Sequence, residues 1–189
     1  MMTKTTNIIG GRYKGHKIKL VPSLDTKATS SLVKEALFNI LGTAVKDKVL
    51  LDLFAGNGSY GFEALSRDAL KVFFVDSSLK AFHTLKYNQR KLKLDDEQSV
   101  IFYAHYLAAL KKMQKLNLIF DFVIVDPPYF KALYESTFVY LGQLTHDKSI
   151  IICESHRRID LPLHMKEFEL VKVKIYGNKK LNFYHKMTI

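Results

Sequence analysis

A chain of 189 residues with 48% hydrophobic side chains suffices for one globular domain with a full core, and it holds no apolar run long enough to span a bilayer. One cysteine, Cys153, excludes an internal disulfide and a cysteine-cluster zinc site. The formal charge of +11 resides at the two ends of the chain, which makes a polyanion the expected partner.

Residues 7–22, irregular around Gly10, Gly11 and Gly15, read as a short hairpin. A helical face over 31–42 carries Val33, Ala36, Leu37, Ile40 and Leu41, with Gly42 as its stop. From residue 48 strands and helices alternate. Strands are expected at Val49–Phe54, Lys71–Val75, Val100–Tyr103 and Phe120–Val125, with helices at Tyr60–Arg67, Leu79–Leu92 and Leu107–Leu116 between them. A helix near Tyr134–Leu144 and a strand at Ser149–Cys153 follow, Cys153 being a small buried strand residue. Two late runs, Leu170–Tyr176 and Leu181–Met187, flank a hairpin turn at Gly177-Asn178-Lys179-Lys180. This is the pattern of an α/β, Rossmann-like doubly wound parallel sheet whose last strand is antiparallel. Residues 1–47 form a basic hairpin-helix extension of a single domain, and 48–189 its core. Ligands of such sheets lie beyond the carboxyl ends of the strands.

The first core strand ends in Asp52-Leu53-Phe54-Ala55-Gly56-Asn57-Gly58-Ser59-Tyr60-Gly61. Gly56, Gly58 and Gly61 make a G-x-G-x-x-G string between a strand and a helix, the context for a nucleotide-type ligand held close to the backbone. Asp76 ends the second strand, where a carboxylate can accept from ribose hydroxyls. A nicotinamide cofactor and S-adenosylmethionine both suit this much. Asp52 favours the second, since a carboxylate repels a pyrophosphate but attracts a cationic amino acid moiety. No group suited to hydride chemistry follows.

The fourth strand ends in Asp126-Pro127-Pro128-Tyr129. A carboxylate acceptor, prolines that stiffen the turn and expose carbonyls, and an aromatic ring suit a planar base with an exocyclic amine. Asp and Pro also serve plain strand-ending turns. Glu63, in the first turns of its helix, suits either the helix dipole or ligand support. Glu154 suits either substrate contact or a structural hydrogen bond.

The order of these motifs is similar to that of class I amino-methyltransferases. More closely, the chain resembles the bacterial RsmD family, the 16S ribosomal RNA guanine-N2 methyltransferases. Ile8-Ile9-Gly10-Gly11-Arg12, Val33–Leu41, Gly61–Arg67, Val123–Tyr129 and Tyr176-Gly177 carry the resemblance over nearly the whole chain. It implies a seven-stranded sheet, S-adenosylmethionine as methyl donor, and a guanine of the small-subunit RNA as substrate, in assembled or assembling subunits. It assigns Asp126, Pro127, Pro128 and Tyr129 to catalysis and Asp52, Phe54, Gly56, Gly58, Asp76, Ser77 and His105 to the donor. Lys27-Ala28-Thr29 replaces the family's Arg-Pro-Thr segment, His105 stands where Asp or Asn is usual, and Asp76 where Glu is commoner.

The charge distribution agrees with an RNA partner. Residues 1–48 hold nine Lys/Arg against three Asp/Glu, residues 157–189 eight against three, and 49–156 twelve of each. Arg12, Tyr13, Lys14, Lys17, Lys27, Arg157 and Arg158 are the candidate RNA contacts; a solvated lysine-rich face is the plainer alternative. The histidines lack metal-ligand spacing, so no metal is expected. The opening residues lack the apolar core of a secretory signal, so a cytoplasmic protein without membrane contact is expected; a monomer is expected as well. An adenine-N6 DNA methyltransferase shares the acidic turn, and a catalytically inactive RNA-binding assembly module would share the basic ends.

Overall fold

The computed structural model describes residues 4–22, 31–128 and 131–187. A ribbon of β1 (Thr5–Asn7) and β2 (Lys17–Lys19) precedes helix α1 (Ser31–Leu41). Then come β3 (Val49–Leu53), α2 (Ser59–Ser66), β4 (Lys71–Asp76), α3 (Leu79–Lys91) and β5 (Ser99–Tyr103). They are followed by α4 (Tyr106–Lys115), β6 (Phe120–Val125) and α5 (Lys131–Leu141). The chain closes with β7 (Thr145–His156), β8 (His164–Met165), β9 (Phe168–Tyr176) and β10 (Lys179–Lys186).

The main sheet has the order β5-β4-β3-β6-β7-β10-β9-β8. From β5 to β7 every pairing is parallel, while β10 lies antiparallel between β7 and β9. The seven-stranded sheet with a reversed last strand is therefore present, lengthened at its edge by two residues of β8. Gly177, at φ +58, makes the β9–β10 turn tight; Lys179 and Lys180 already belong to β10 rather than to the turn.

Central strands read as unbroken apolar runs because helices cover both faces. On one face Leu37, Phe38, Phe62, Leu65 and Leu85 pack against Leu50, Phe74, Phe122 and Ile124. On the other, Leu110, Met113, Tyr134 and Phe138 cover Leu51, Val75 and Val123. The chain leaves β3 outward to β4 and β5, then returns to lay β6 on β3's other side. Leu53 stands opposite Val125, so the segments after these two strands emerge side by side, roughly 4.8 Å apart.

The buried face of α1 differs from the expected one by a small rotation. It is formed by Val33, Lys34, Leu37, Phe38 and Leu41, with Ala36 and Ile40 at its margin. Lys34 can be inside because its ammonium donates to the Asn7 carbonyl at 2.7 Å and lies 3.5 Å from the Glu63 carboxylate. Glu63 neither caps its helix nor faces the strand-end site. Its carboxylate accepts the Ile9 and Gly10 amides, each at 2.8 Å, and pairs with Arg67, so it clamps the N-terminal ribbon to α2.

Candidate active site

At the end of β3 the backbone turns sharply, and Phe54 itself adopts φ +68. For a non-glycine residue this left-handed conformation costs about 1–2 kcal/mol. The Phe54 ring is held 5.1 Å from that of Tyr106, which begins α4. Of the glycines that follow, Gly58 (φ +77) and Gly61 are packing glycines. A Cβ at Gly58 would come within 2.5 Å of Phe62, and one at Gly61 within 2.2 Å of Phe74. Gly56 (φ +55) is different: a Cβ there would meet nothing within 4 Å. Beside it, the buried Asn57 Nδ2 and Ser59 Oγ have no hydrogen-bond partner among the described residues.

Two carboxyls fix this loop. Asp76 accepts the Gly56 amide and, through its other oxygen, the Ser78 amide, both at 2.8 Å. Asp52 accepts the Gly61 amide at 2.9 Å and so caps α2 from the neighbouring strand, since Gly58 at the helix start has no side chain to do it. Burial pushes the Asp52 carboxyl up to about 7; the charge of Asp76 adds to the rise, and the Gly61 hydrogen bond opposes it.

After β6, Asp126 is half-buried, Pro127 buried and Pro128 exposed. Asp126 extends β6 beside Glu154 on β7, as the register of Val125 with Cys153 requires. Glu154 is deeply buried: the Tyr60 hydroxyl donates to one of its oxygens and the Lys179 ammonium to the other. The Tyr134 hydroxyl donates to its backbone carbonyl at 2.5 Å. Burial raises the Asp126 carboxyl well above the ordinary range; Glu154 and Asp52 raise it further, and Lys179 pulls it down. Tyr60 is likewise raised, by burial and then by Glu154.

The arrangement is thus open space at the Gly56 backbone, beside the Asp52 and Asp76 carboxyls and next to an acid-proline-proline turn. Comparison with known proteins decides the lineage. The family model described as "Conserved hypothetical protein 95" matches residues 6–185. The chain is 36% identical over 171 residues to the ribosomal RNA small subunit methyltransferase D of Haemophilus influenzae, covering 90% of this chain and 88% of that one. It belongs to the methyltransferase D family. A solved Escherichia coli structure proposed to be a methyltransferase, yhhF, superposes with a TM-score of 0.84 at 28% identity, covering 97% of this chain and 98% of the other. The Thermus thermophilus 16S rRNA N2 G1207 methyltransferase, solved with AdoMet and guanosine, shares the fold at a TM-score of 0.74 and 18% identity; the match covers 98% of this chain and 50% of that one.

In this member of the methyltransferase D family the strand ends bring together Asp52, Phe54, Gly56, Asp76 and Asp126 with Pro127. Ser77 is exposed just past Asp76. His105 is exposed at the start of α4, its ring 4.6 Å from Tyr106, and its side chain makes no capping bond. Tyr129 and Lys27 lie outside the described residues.

The basic ends do not form one patch. Arg12 pairs with Asp68 at 3.0 Å, and the Tyr13 amide bonds Ser66, so the ribbon's tip sits at the carboxyl end of α2. That is the sheet edge opposite Asp126. Lys14 and Lys17 are exposed on the same ribbon, while Arg157 and Arg158 are exposed beyond Glu154, on the Asp126 edge. Two cations of the end segments are committed to the interior, Lys34 to Glu63 and Lys179 to Glu154, while Lys180 pairs with the exposed Asp160. Tyr60 and Lys179 were not foreseen as site residues. Tyr60 reads as one more apolar helix residue, and Lys179 as a turn lysine.

Among the described residues no helix is long and apolar enough to cross a membrane, and no cluster of metal-ligating side chains occurs.

Proposed function

We propose that this protein transfers a methyl group from S-adenosylmethionine to the exocyclic N2 amine of a guanine in 16S ribosomal RNA, acting as a monomer on small ribosomal subunits or their assembly intermediates. The observation that carries the reading is the placement of the Gly56 opening and the Asp126-Pro127 turn on adjacent strands, at one sheet edge. Relatives named as small-subunit RNA methyltransferases support the substrate class.

The residues present fit the donor. Gly56 leaves space at the backbone, Asn57 Nδ2 and Ser59 Oγ offer unused polar atoms, and Asp52 offers a carboxylate to an ammonium. Asp76, positioned by two amides, retains lone pairs for ribose hydroxyls. Phe54 and His105 would border the adenine, with Ser77 beyond Asp76. When bound, S-adenosylmethionine supplies an electrophilic methyl group on a positively charged sulfur.

A guanine amine is a weak nucleophile because its lone pair is delocalised into the ring. Asp126 and the Pro127 carbonyl each accept one of its N–H groups. This favours a tetrahedral nitrogen and fixes the direction of its lone pair. As positive charge develops on nitrogen, the Asp126 carboxylate stabilises it, then takes the proton the amine sheds and passes it to water from its exposed side. Tyr129 stacks on the base, which must leave its own stack to reach the turn. Arg157 and Arg158 meet the RNA near the target, and Arg12, Tyr13, Lys14 and Lys17 meet it farther away; Lys27 is a further candidate contact.

The test is transfer of labelled methyl from the donor to small subunits, naked 16S RNA and duplex DNA, with the product nucleoside identified by mass. N2-methylguanine in RNA is expected, lost in Asp126→Ala while donor binding persists. Label confined to adenine in DNA would reject the reading, and absence of donor binding by calorimetry would favour a binding module.

A further inference from the structure

Around Asp126 the described residues place two acids and one cation. Glu154 faces it from β7, Asp52 from β3, and Lys179 from β10, with the Tyr60 hydroxyl contributed by α2. The register explains the grouping. Val125 stands opposite Cys153, and Glu154 stands opposite Leu181, so the ends of β6, β7 and β10 meet at this edge. The charge of Glu154 at the neighbouring strand end, in a poorly hydrated site, favours the protonated form of Asp126.

Glu154 has both its oxygens occupied from within the protein, one by Lys179 and one by Tyr60, and its backbone carbonyl by Tyr134. It is buried and anchored by a strand, two helices and a hairpin. Asp126, in contrast, is half-exposed at the start of the turn.

We propose that Lys179 and Tyr60 are positioning residues for Asp126 that act through Glu154: they commit the Glu154 charge to the protein, so that the charge of Asp126 is available to the substrate amine. The inference deepens the function proposed above and rests on Asp126 accepting from that amine. It makes Lys179 the compensating cation of the acid pair. An uncompensated Glu154 would hold the proton of Asp126 in place and silence it near neutral pH. Loss of the Tyr60 hydroxyl removes one donor and acts in the same direction, more weakly than loss of a full charge.

The experiment titrates the side-chain carboxyl carbons of the full-length protein by NMR, in the wild type and in Lys179→Met, Lys179→Arg, Tyr60→Phe and the double variant Lys179→Met/Glu154→Gln. In parallel, single-turnover methylation of small subunits is followed between pH 5.5 and 9. Lys179→Met is expected to move the acid pair's titration and the acid limb of the rate profile upward by about one pH unit, an approximately tenfold loss of rate below the limb. Lys179→Arg should restore both. The double variant, which removes the unbalanced carboxylate as well, should return the limb towards wild type, whereas a purely structural role makes it the worst of the set. An unmoved titration in folded Lys179→Met overturns the proposal, as does a rate loss uniform across pH. If Lys179→Met does not fold, the same comparison in Tyr60→Phe decides. A wild type inactive on RNA would instead reject the methyl-transfer reading, and the titration would still decide the role of Lys179.

Discussion

Glu63, in the middle of α2, accepts the backbone amide of Gly10 at 2.8 Å across 53 positions of sequence. The same carboxylate takes the Ile9 amide and balances the fully buried Lys34. Glu63→Gln leaves that ammonium without its counter-charge, the costly way to break a buried pair, at about 3 kcal/mol or more. We expect a melting temperature lower by roughly 6–12 °C and faster proteolysis of the N-terminal ribbon. A variant melting within a degree or two of wild type would show that the clamp is dispensable.

Gly56 and Gly58 should separate binding from folding. Gly58→Ala puts a methyl group into Phe62 and Leu85 at a positive φ, so overpacking of about 1–3 kcal/mol adds to backbone strain. Gly56→Ala carries the strain alone, about 1–2 kcal/mol, because its Cβ enters open space. Thermal melts should therefore punish Gly58→Ala more. Calorimetry with S-adenosylhomocysteine should show Gly56→Ala folded but at least tenfold weaker in binding. Equal binding by Gly56→Ala and wild type would remove the donor from that opening.

How much of this was legible in the sequence depends on whether a feature is local. Phe122–Val125 declares a buried strand by its unbroken apolar run, and Gly56–Gly61 a strand-to-helix turn by its spacing, because those signals lie within a few residues. The reversed last strand follows from Gly177 with no helix between β9 and β10. Lys34, Glu63, Tyr60 and Lys179 gave no such sign. A lysine inside a helix or beside a turn reads as solvated until its partner is known, and the Tyr60–Glu154 partnership spans 94 positions. The same holds for the basic ends. Composition shows the excess, but only the pairing of the ribbon with α2 shows that its tip faces the edge away from Asp126.

Asp52 carries a pH signature. Its carboxyl is raised from 3.8 to about 7, so between these values the native state holds a proton that the unfolded chain has lost. Stability from this group therefore falls as pH rises from about 4 to about 7 and is level above. An ammonium-bearing ligand favours the charged form, so S-adenosylhomocysteine affinity should increase between pH 6 and pH 8. Asp52→Asn keeps an acceptor for the Gly61 amide but has no charge to lose. It should flatten both dependences and bind the ligand weakly throughout. Retention of the wild-type pH dependence by Asp52→Asn would assign it to another group.

The two groups of exposed cations should act differently on RNA. Arg157 and Arg158 stand on the Asp126 edge, so reversing their charge disturbs the nucleotides next to the target. Lys14 stands at the ribbon's tip and Lys17 on its second strand, so on the proposed reading reversing them removes phosphate contacts away from the target. Each lost contact lowers the slope of log affinity against log salt by about 0.7 for single-stranded RNA. Lys14→Glu/Lys17→Glu should thus weaken binding and flatten the slope while leaving the single-turnover rate at saturating RNA intact. Arg157→Glu/Arg158→Glu should lower that rate as well, because a base that is bound but misplaced by 1 Å reacts far more slowly. Filter binding across a salt series together with saturating-rate measurements tests both. An unchanged slope in the ribbon variant would remove the N-terminal extension from the RNA path, and an unchanged rate in the arginine variant would move that path off the carboxyl edge of β7.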